Sequence, residues 1–157
     1  MATETTPAAE ETFDVGAFLT ASVPMVRTLN LEYMETAPER AVLRLADQEE
    51  YRNHVGGPHA GAMFTLAESA SGALVLAAFG HLLSRAVPLP THVEMDFKKL
   101  ALGPLTATAE LGRPIAEVVA EFAAGERPEF PVNVSIQRED GAVTGTMTIV
   151  WTLRPNR

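Results

Sequence analysis

The chain has 157 residues, 46% of them hydrophobic and 20% charged, which excludes a disordered protein and fits one globular domain. A formal net charge of −8 leaves no basic stripe to displace counterions, so nucleic acid is not expected as a partner. The absence of cysteine excludes disulfides, thiolate metal sites and cysteine nucleophiles.

The first twelve residues, MATETTPAAEET, carry neither the basic start nor the apolar stretch of a secretory signal. A disordered tail is expected over residues 1–12, a single domain over 13–157, and a cytoplasmic location. Phe13 to Leu29 has Phe13, Ala17 and Phe18 at helical spacing, with Asp14 as N-cap and a break or second short helical turn at Pro24. Leu29–Thr36 and Arg40–Ala46 alternate apolar and polar residues, and Ala37-Pro38-Glu39 turns one strand into the other. Asp47 to Arg52 is a polar connection.

A helix is expected from about His59 to Phe79, opened by the turn Gly56-Gly57-Pro58. Val87-Pro88-Leu89-Pro90 reads as an extended lead-in to a strand over Thr91–Leu100. Gly103-Pro104 turns the chain into a strand over Leu105–Leu111. A second helical pattern runs from Pro114 through Ile115, Val118, Val119 and Phe122 to near Gly125. Phe130–Arg138 and Val143–Leu153 are strands joined at Glu139-Asp140-Gly141, a strong hairpin signal.

The long helix is apolar all round, so it needs a surface that wraps it. Six mostly antiparallel strands supply one. The expectation is an α+β fold in which a curved, single-layer antiparallel sheet wraps a long central helix, in a homodimer or a dimer of dimers. The helix is long enough to span a bilayer. Thr65, Glu68, Ser69 and Ser71 near its centre count against that, so no membrane is expected.

Glu68 is the only charged side chain between His59 and His81. Burying a lone carboxylate is unfavourable unless it is paired, hydrogen-bonded or opened to a cavity. Without the residues around it, a glutamate in an alanine-rich helix is more often at a solvent edge than functional.

Those residues carry a resemblance. Asn53, then His59-Ala60-Gly61 six residues on, then Glu68 nine after the histidine, resembles the active-site segment of hotdog-fold acyl-CoA thioesterases. The branch is the one related to phenylacetyl-CoA and type-II acyl-CoA thioesterases, and the likeness covers roughly residues 25 to 153. It is nearest to a little-characterised subgroup with His-Ala-Gly in place of His-Gly-Gly and a short extra helix before the last two strands. The departure is Ala60, which keeps its amide but leaves less room for close substrate approach.

The resemblance implies hydrolysis of an acyl-CoA, with Glu68 as general base or nucleophile and Asn53, His59 and Gly61 around the thioester. The local physics agrees. Pro58 is pre-set for a helix start, and the Ala60 and Gly61 amides at a helix N-terminus are expected to lack partners. With the helix dipole behind them they can hold an oxyanion. A carboxyl in an apolar wall should have a raised pKa, which suits a base near neutrality.

Gly61 and Glu68 share a helix face but lie about 10 Å apart along it, so one thioester carbon is hardly served by both from one chain. Two antiparallel copies of the helix would place Gly61 of one beside Glu68 of the other, across the small stripe Gly61, Thr65, Glu68, Gly72. The resemblance implies the same shared site. Lys98-Lys99, the only lysines, and Arg52 are candidates for the phosphates of coenzyme A, which is part of the substrate and not a cofactor. His54, His81 and His92 make no metal-ligand spacing, and Ser71 lacks a nucleophile elbow.

Two other functions compete. A hotdog-fold dehydratase would pair His54 with Glu68 fourteen residues later, but the prolines that frame that family's motif are missing. A non-catalytic acyl-CoA-binding protein would need no base.

Overall fold

The computed structural model describes residues 12–157. The expected tail lies outside the described residues but for Thr12. Asp14 caps helix α1 (Val15–Ser22), its Oδ1 accepting from the Ala17 amide at 2.9 Å. Val23 is extended, and Pro24 opens a separate short helix, α2 (Pro24–Thr28). Arg27 ties the two together, its Nη1 donating to the carbonyls of Thr20 and Ala21 at 2.7 and 2.9 Å.

Asn30, at a φ of 52°, reverses the chain into β1 (Glu32–Thr36), which pairs with β2 (Arg40–Leu45). The polar connection holds one 3-10 turn, Glu49–Tyr51. The central helix, α3, runs Ala60–Phe79 and ends in a second 3-10 turn, Gly80–Leu82. There follow β3 (Ala86–Phe97), β4 (Leu105–Leu111), helix α4 (Ile115–Ala123), β5 (Glu129–Arg138) and β6 (Val143–Pro155). Gly103, Gly125 and Gly141 take positive φ at the turns, where a side chain would be strained.

Every pairing is antiparallel, and the six strands lie in the order β1-β2-β4-β5-β6-β3. One face of the sheet is apolar. Leu43 and Leu45 of β2, Ala107 and Ala109 of β4, Val132 and Ile136 of β5 and Ile149 of β6 are all buried. They close over Leu66, Ala70 and Leu74 of α3, whose small neighbours let sheet and helix approach. The apolar stretch Ala60–Leu82 is long enough to cross a membrane, yet 72% of an 18-residue window of it is buried inside the fold. It is a core helix.

Three strand boundaries differ from the sequence reading by three residues or more. The first is that of β1, which starts at Glu32 and not Leu29 because Leu29 is still the C-cap of α2. The Val87–Pro90 lead-in is part of β3, with Pro88 paired to Leu153 and a bulge between Pro90 and His92. Proline is tolerated there because β3 is an edge strand, bonded on one side only. At the other end β3 stops at Phe97, so Lys98 and Lys99 lie beyond it, their amides both turned to the Thr144 carbonyl.

Candidate active site

The turn before α3 is built by Asn53. Its Oδ1 accepts from the amides of Val55 and Gly57 at 3.0 and 3.2 Å, and its Nδ2 donates to the Pro58 carbonyl at 3.3 Å. The side chain therefore holds the turn closed, with one N–H left for anything else. Gly57 passes so near the β3–β4 connection that a Cβ there would stand 1.9 Å from the Ala101 carbonyl oxygen. His59 then caps α3, its Nδ1 accepting from the Gly61 amide at 2.8 Å.

That cap corrects one expectation. The Gly61 amide is not unsatisfied, because the histidine beside it has filled the role that a serine or aspartate usually plays at a helix start. Among the described residues the Ala60 amide makes no such bond. Thr65 spends its hydroxyl on the Gly61 carbonyl at 3.0 Å.

Glu68 sits two turns further along α3. It lines a cavity of about 260 Å3 together with Gly72 and Ser69 of the same helix, Tyr33 of β1 and Trp151 of β6. Among the described residues its carboxyl has no hydrogen-bond or ion-pair partner, and burial pushes its pKa above the usual carboxylate range. Its backbone carbonyl accepts from the Ser71 hydroxyl at 2.6 Å, and that hydroxyl accepts from the Trp151 indole at 3.3 Å. The chain of contacts fixes the turn of helix that carries the carboxylate.

Tyr33 was not singled out in the sequence. Its hydroxyl is buried with no partner among the described residues, and its pKa is pushed up to about 12, first by burial and then by the nearby Glu68 charge. The available signal was the apolar alternation Leu29, Leu31, Tyr33 in the sequence. A phenol on a core face needs a partner or a cavity.

The remaining expected residues gather elsewhere. Asn53, Ala60, Lys98 and Lys99 line a second cavity of about 380 Å3 with Phe97. No residue lines both cavities. Within one chain the expected site is thus in two halves, the carboxylate in one and the helix start with its lysines in the other. Arg52 joins neither, being held by Asp47 through bonds of 3.0 and 2.9 Å. His54 lies exposed on the turn and lines neither cavity, so it does not face Glu68 within a chain.

A long buried helix wrapped by one curled antiparallel sheet is the hotdog fold, and the chain falls within the hotdog thioesterase superfamily. More narrowly, the family described as a domain of unknown function, DUF4442, matches residues 12–153, and the chain belongs to it. Solved structures share the architecture. A Pseudomonas aeruginosa protein of unknown function, described as a probable thioesterase, is 27% identical, covers 88% of this chain and 92% of its own, and has a TM-score of 0.78. A thioesterase family protein from Silicibacter pomeroyi is 22% identical over 90% and 96% of the two chains, with a TM-score of 0.70. The E. coli PaaI protein of the phenylacetic acid degradation operon is 13% identical over 88% and 89%, at 0.69. No curated protein matches the sequence.

Proposed function

We propose that the protein hydrolyses an acyl-CoA thioester to a free acid and CoA, in a site shared by two copies of the chain. The observation that carries this is the state of Glu68: a carboxyl with no partner among the described residues, in an apolar cavity that raises its pKa, on a helix whose N-terminal Ala60 amide is likewise unpaired there. Glu68 takes a proton from water as the water oxygen bonds to the thioester carbon. The carbonyl electrons move to oxygen, return, and expel the CoA sulfur, which takes up the proton that Glu68 received. A nucleophilic Glu68 would pass instead through an anhydride that water then opens.

The oxyanion needs donors aimed at it. The Ala60 amide and the Nε2–H of His59, whose Nδ1 is occupied by the cap, are the groups open to that task. They belong to the other copy's helix. The face of α3 that the sheet leaves uncovered carries Ala60, Gly61, Phe64, Thr65, Glu68 and Gly72, and Phe64 is 40% exposed there. Beside it the edge of β3 has no strand partner on one side. An antiparallel second copy covers both and unites the two half-sites. Lys98 and Lys99 then stand by the helix start for the CoA phosphates.

The test is release of CoA thiol from a panel of acyl-CoAs by wild type and Glu68→Gln. Hydrolysis that falls about a hundredfold or more in Glu68→Gln supports the reading. Undiminished hydrolysis in the variant would sink it.

A further inference from the structure

The cavity at Glu68 is small, and its walls are made mostly by parts of the chain outside the motif. Leu19, Val23 and Val26 of the α1–α2 segment form one side, and Val75 and Leu76 at the end of α3 form another. Leu83 and Pro88 close it beside the start of β3. The α1–α2 wall is fixed. Arg27 bonds two carbonyls of α1, and the Tyr33 ring packs against Gly16 so closely that a Cβ there would lie 3.0 Å from it.

We infer that this cavity is the acyl chamber, and that it selects compact, uncharged acyl groups, aliphatic or aryl. The inference rests on the thioester reading of the same site and adds the substrate class. The size limit follows from the cavity's volume of about 260 Å3, small for a ligand pocket. Pockets that take drug-sized ligands measure about 300–1,000 Å3, so a long acyl chain has little room here unless the wall yields. The charge limit follows from the lining. Among the described residues Glu68 is its one charged lining residue, and no lysine, arginine or histidine faces in. An acyl group ending in its own carboxylate would be desolvated without a counter-charge and repelled by Glu68.

Leu19 and Val23 are the residues to alter, because both are half-buried at the wall and neither touches the reacting centre. Butanoyl-, hexanoyl-, octanoyl-, palmitoyl- and succinyl-CoA are compared as substrates for wild type, Leu19→Ala and Val23→Phe. In wild type, kcat/KM for palmitoyl-CoA falls about tenfold or more below the best of the short chains, and succinyl-CoA falls equally below butanoyl-CoA. Leu19→Ala moves the optimum to longer chains and Val23→Phe to shorter ones. Palmitoyl-CoA as the best substrate, a preference for succinyl-CoA, or an optimum that neither variant moves would overturn the inference. Affinities for the matching S-alkyl-CoA thioethers, which cannot be hydrolysed, separate the two claims. If no thioester is cleaved but thioether affinity peaks at short chains and shifts with the two variants, the hydrolase reading fails and the chamber stands. If affinity ignores chain length, the chamber fails.

Discussion

His59 Nδ1 accepts the Gly61 amide hydrogen at 2.8 Å, so one histidine both starts the central helix and turns its other nitrogen outward. A neutral imidazole that accepts at Nδ1 carries its proton on Nε2. Removing the side chain should therefore have two separable effects. His59→Ala loses a cap and about 1 kcal/mol of stability, whereas His59→Asn keeps an acceptor and most of that stability. If the Nε2–H also serves the oxyanion, His59→Asn restores the melting temperature but not the rate of thioester cleavage. Equal recovery of both would confine His59 to capping.

Glu68 sets the pH dependence. Burial raises its folded pKa above the unfolded value, so the native state holds its proton to higher pH than the unfolded chain does. Stability from this group is then present in acid and lost as pH rises from about 4.3, the unfolded value, through the folded one. Glu68→Gln should melt higher than wild type at pH 7–8, and the gain should shrink towards zero below pH 4. A variant that melts lower at neutral pH would mean that the carboxylate has a stabilising partner. The same raised pKa places the rising limb of kcat/KM above the ordinary carboxylate range.

Tyr33 holds its hydroxyl buried and unpaired, a state that costs about 1–3 kcal/mol relative to a satisfied group. Tyr33→Phe should raise stability by about 1 kcal/mol, read as a higher melting temperature. In a spectrophotometric titration of the folded protein, the variant should lose a phenolate signal centred near pH 12. A signal lost at about pH 10 would show that the hydroxyl is open to solvent.

The frame of the fold was legible because its signals are local. Asp14 and Pro24 mark helix starts, the Glu139-Asp140-Gly141 hairpin marks a turn, and period-two alternation in Leu105–Leu111 marks a strand with one buried face. Glu68 was legible for the opposite reason, as the one charge in an apolar run. What escaped the sequence depends on contacts between distant segments. Pro88 and Pro90 looked like a lead-in because whether a strand is at the edge, where proline is tolerated, is decided by sheet order. Arg52 looked free because its partner Asp47 meets it only when the polar connection folds back. The Gly61 amide looked open because histidine is a rare cap, and Tyr33 meets Glu68 across a gap of 35 positions in the chain.

Gly57 shows how tightly the turn before the helix is held. Its amide bonds Asn53 Oδ1, and a Cβ would fall 1.9 Å from the Ala101 carbonyl oxygen, a backbone atom that cannot swing aside. Gly57→Ala should cost about 1–3 kcal/mol or more and displace His59 and the helix start. Gly56→Ala is the informative control. Gly56 has open space around it but a φ of 81°, so its cost is backbone strain without a clash. A melting temperature equal to wild type in Gly57→Ala would mean that the Ala101 loop moves freely.

The lysines and Arg52 can be told apart by what already holds them. Arg52 is locked to Asp47 by two hydrogen bonds, which keep the Asp47 carboxyl below the usual carboxylate range. Among the described residues Lys98 meets only an exposed Asp96, at 3.8 Å, and both lysines border the cavity at the helix start. Exposed pairs of that kind contribute about 0–1 kcal/mol, so Lys98 is available to a stronger partner. Replacing both lysines by alanine should raise KM for an acyl-CoA about tenfold, leave kcat nearly unchanged, and flatten the dependence of KM on salt. The same variant should cleave a short pantetheine thioester, which lacks the nucleotide phosphates, as wild type does. Arg52→Ala should leave KM for the acyl-CoA near its original value while lowering stability. If Arg52→Ala raises KM and the lysine variant does not, the nucleotide lies along the Asp47–Arg52 connection and not beside the end of β3.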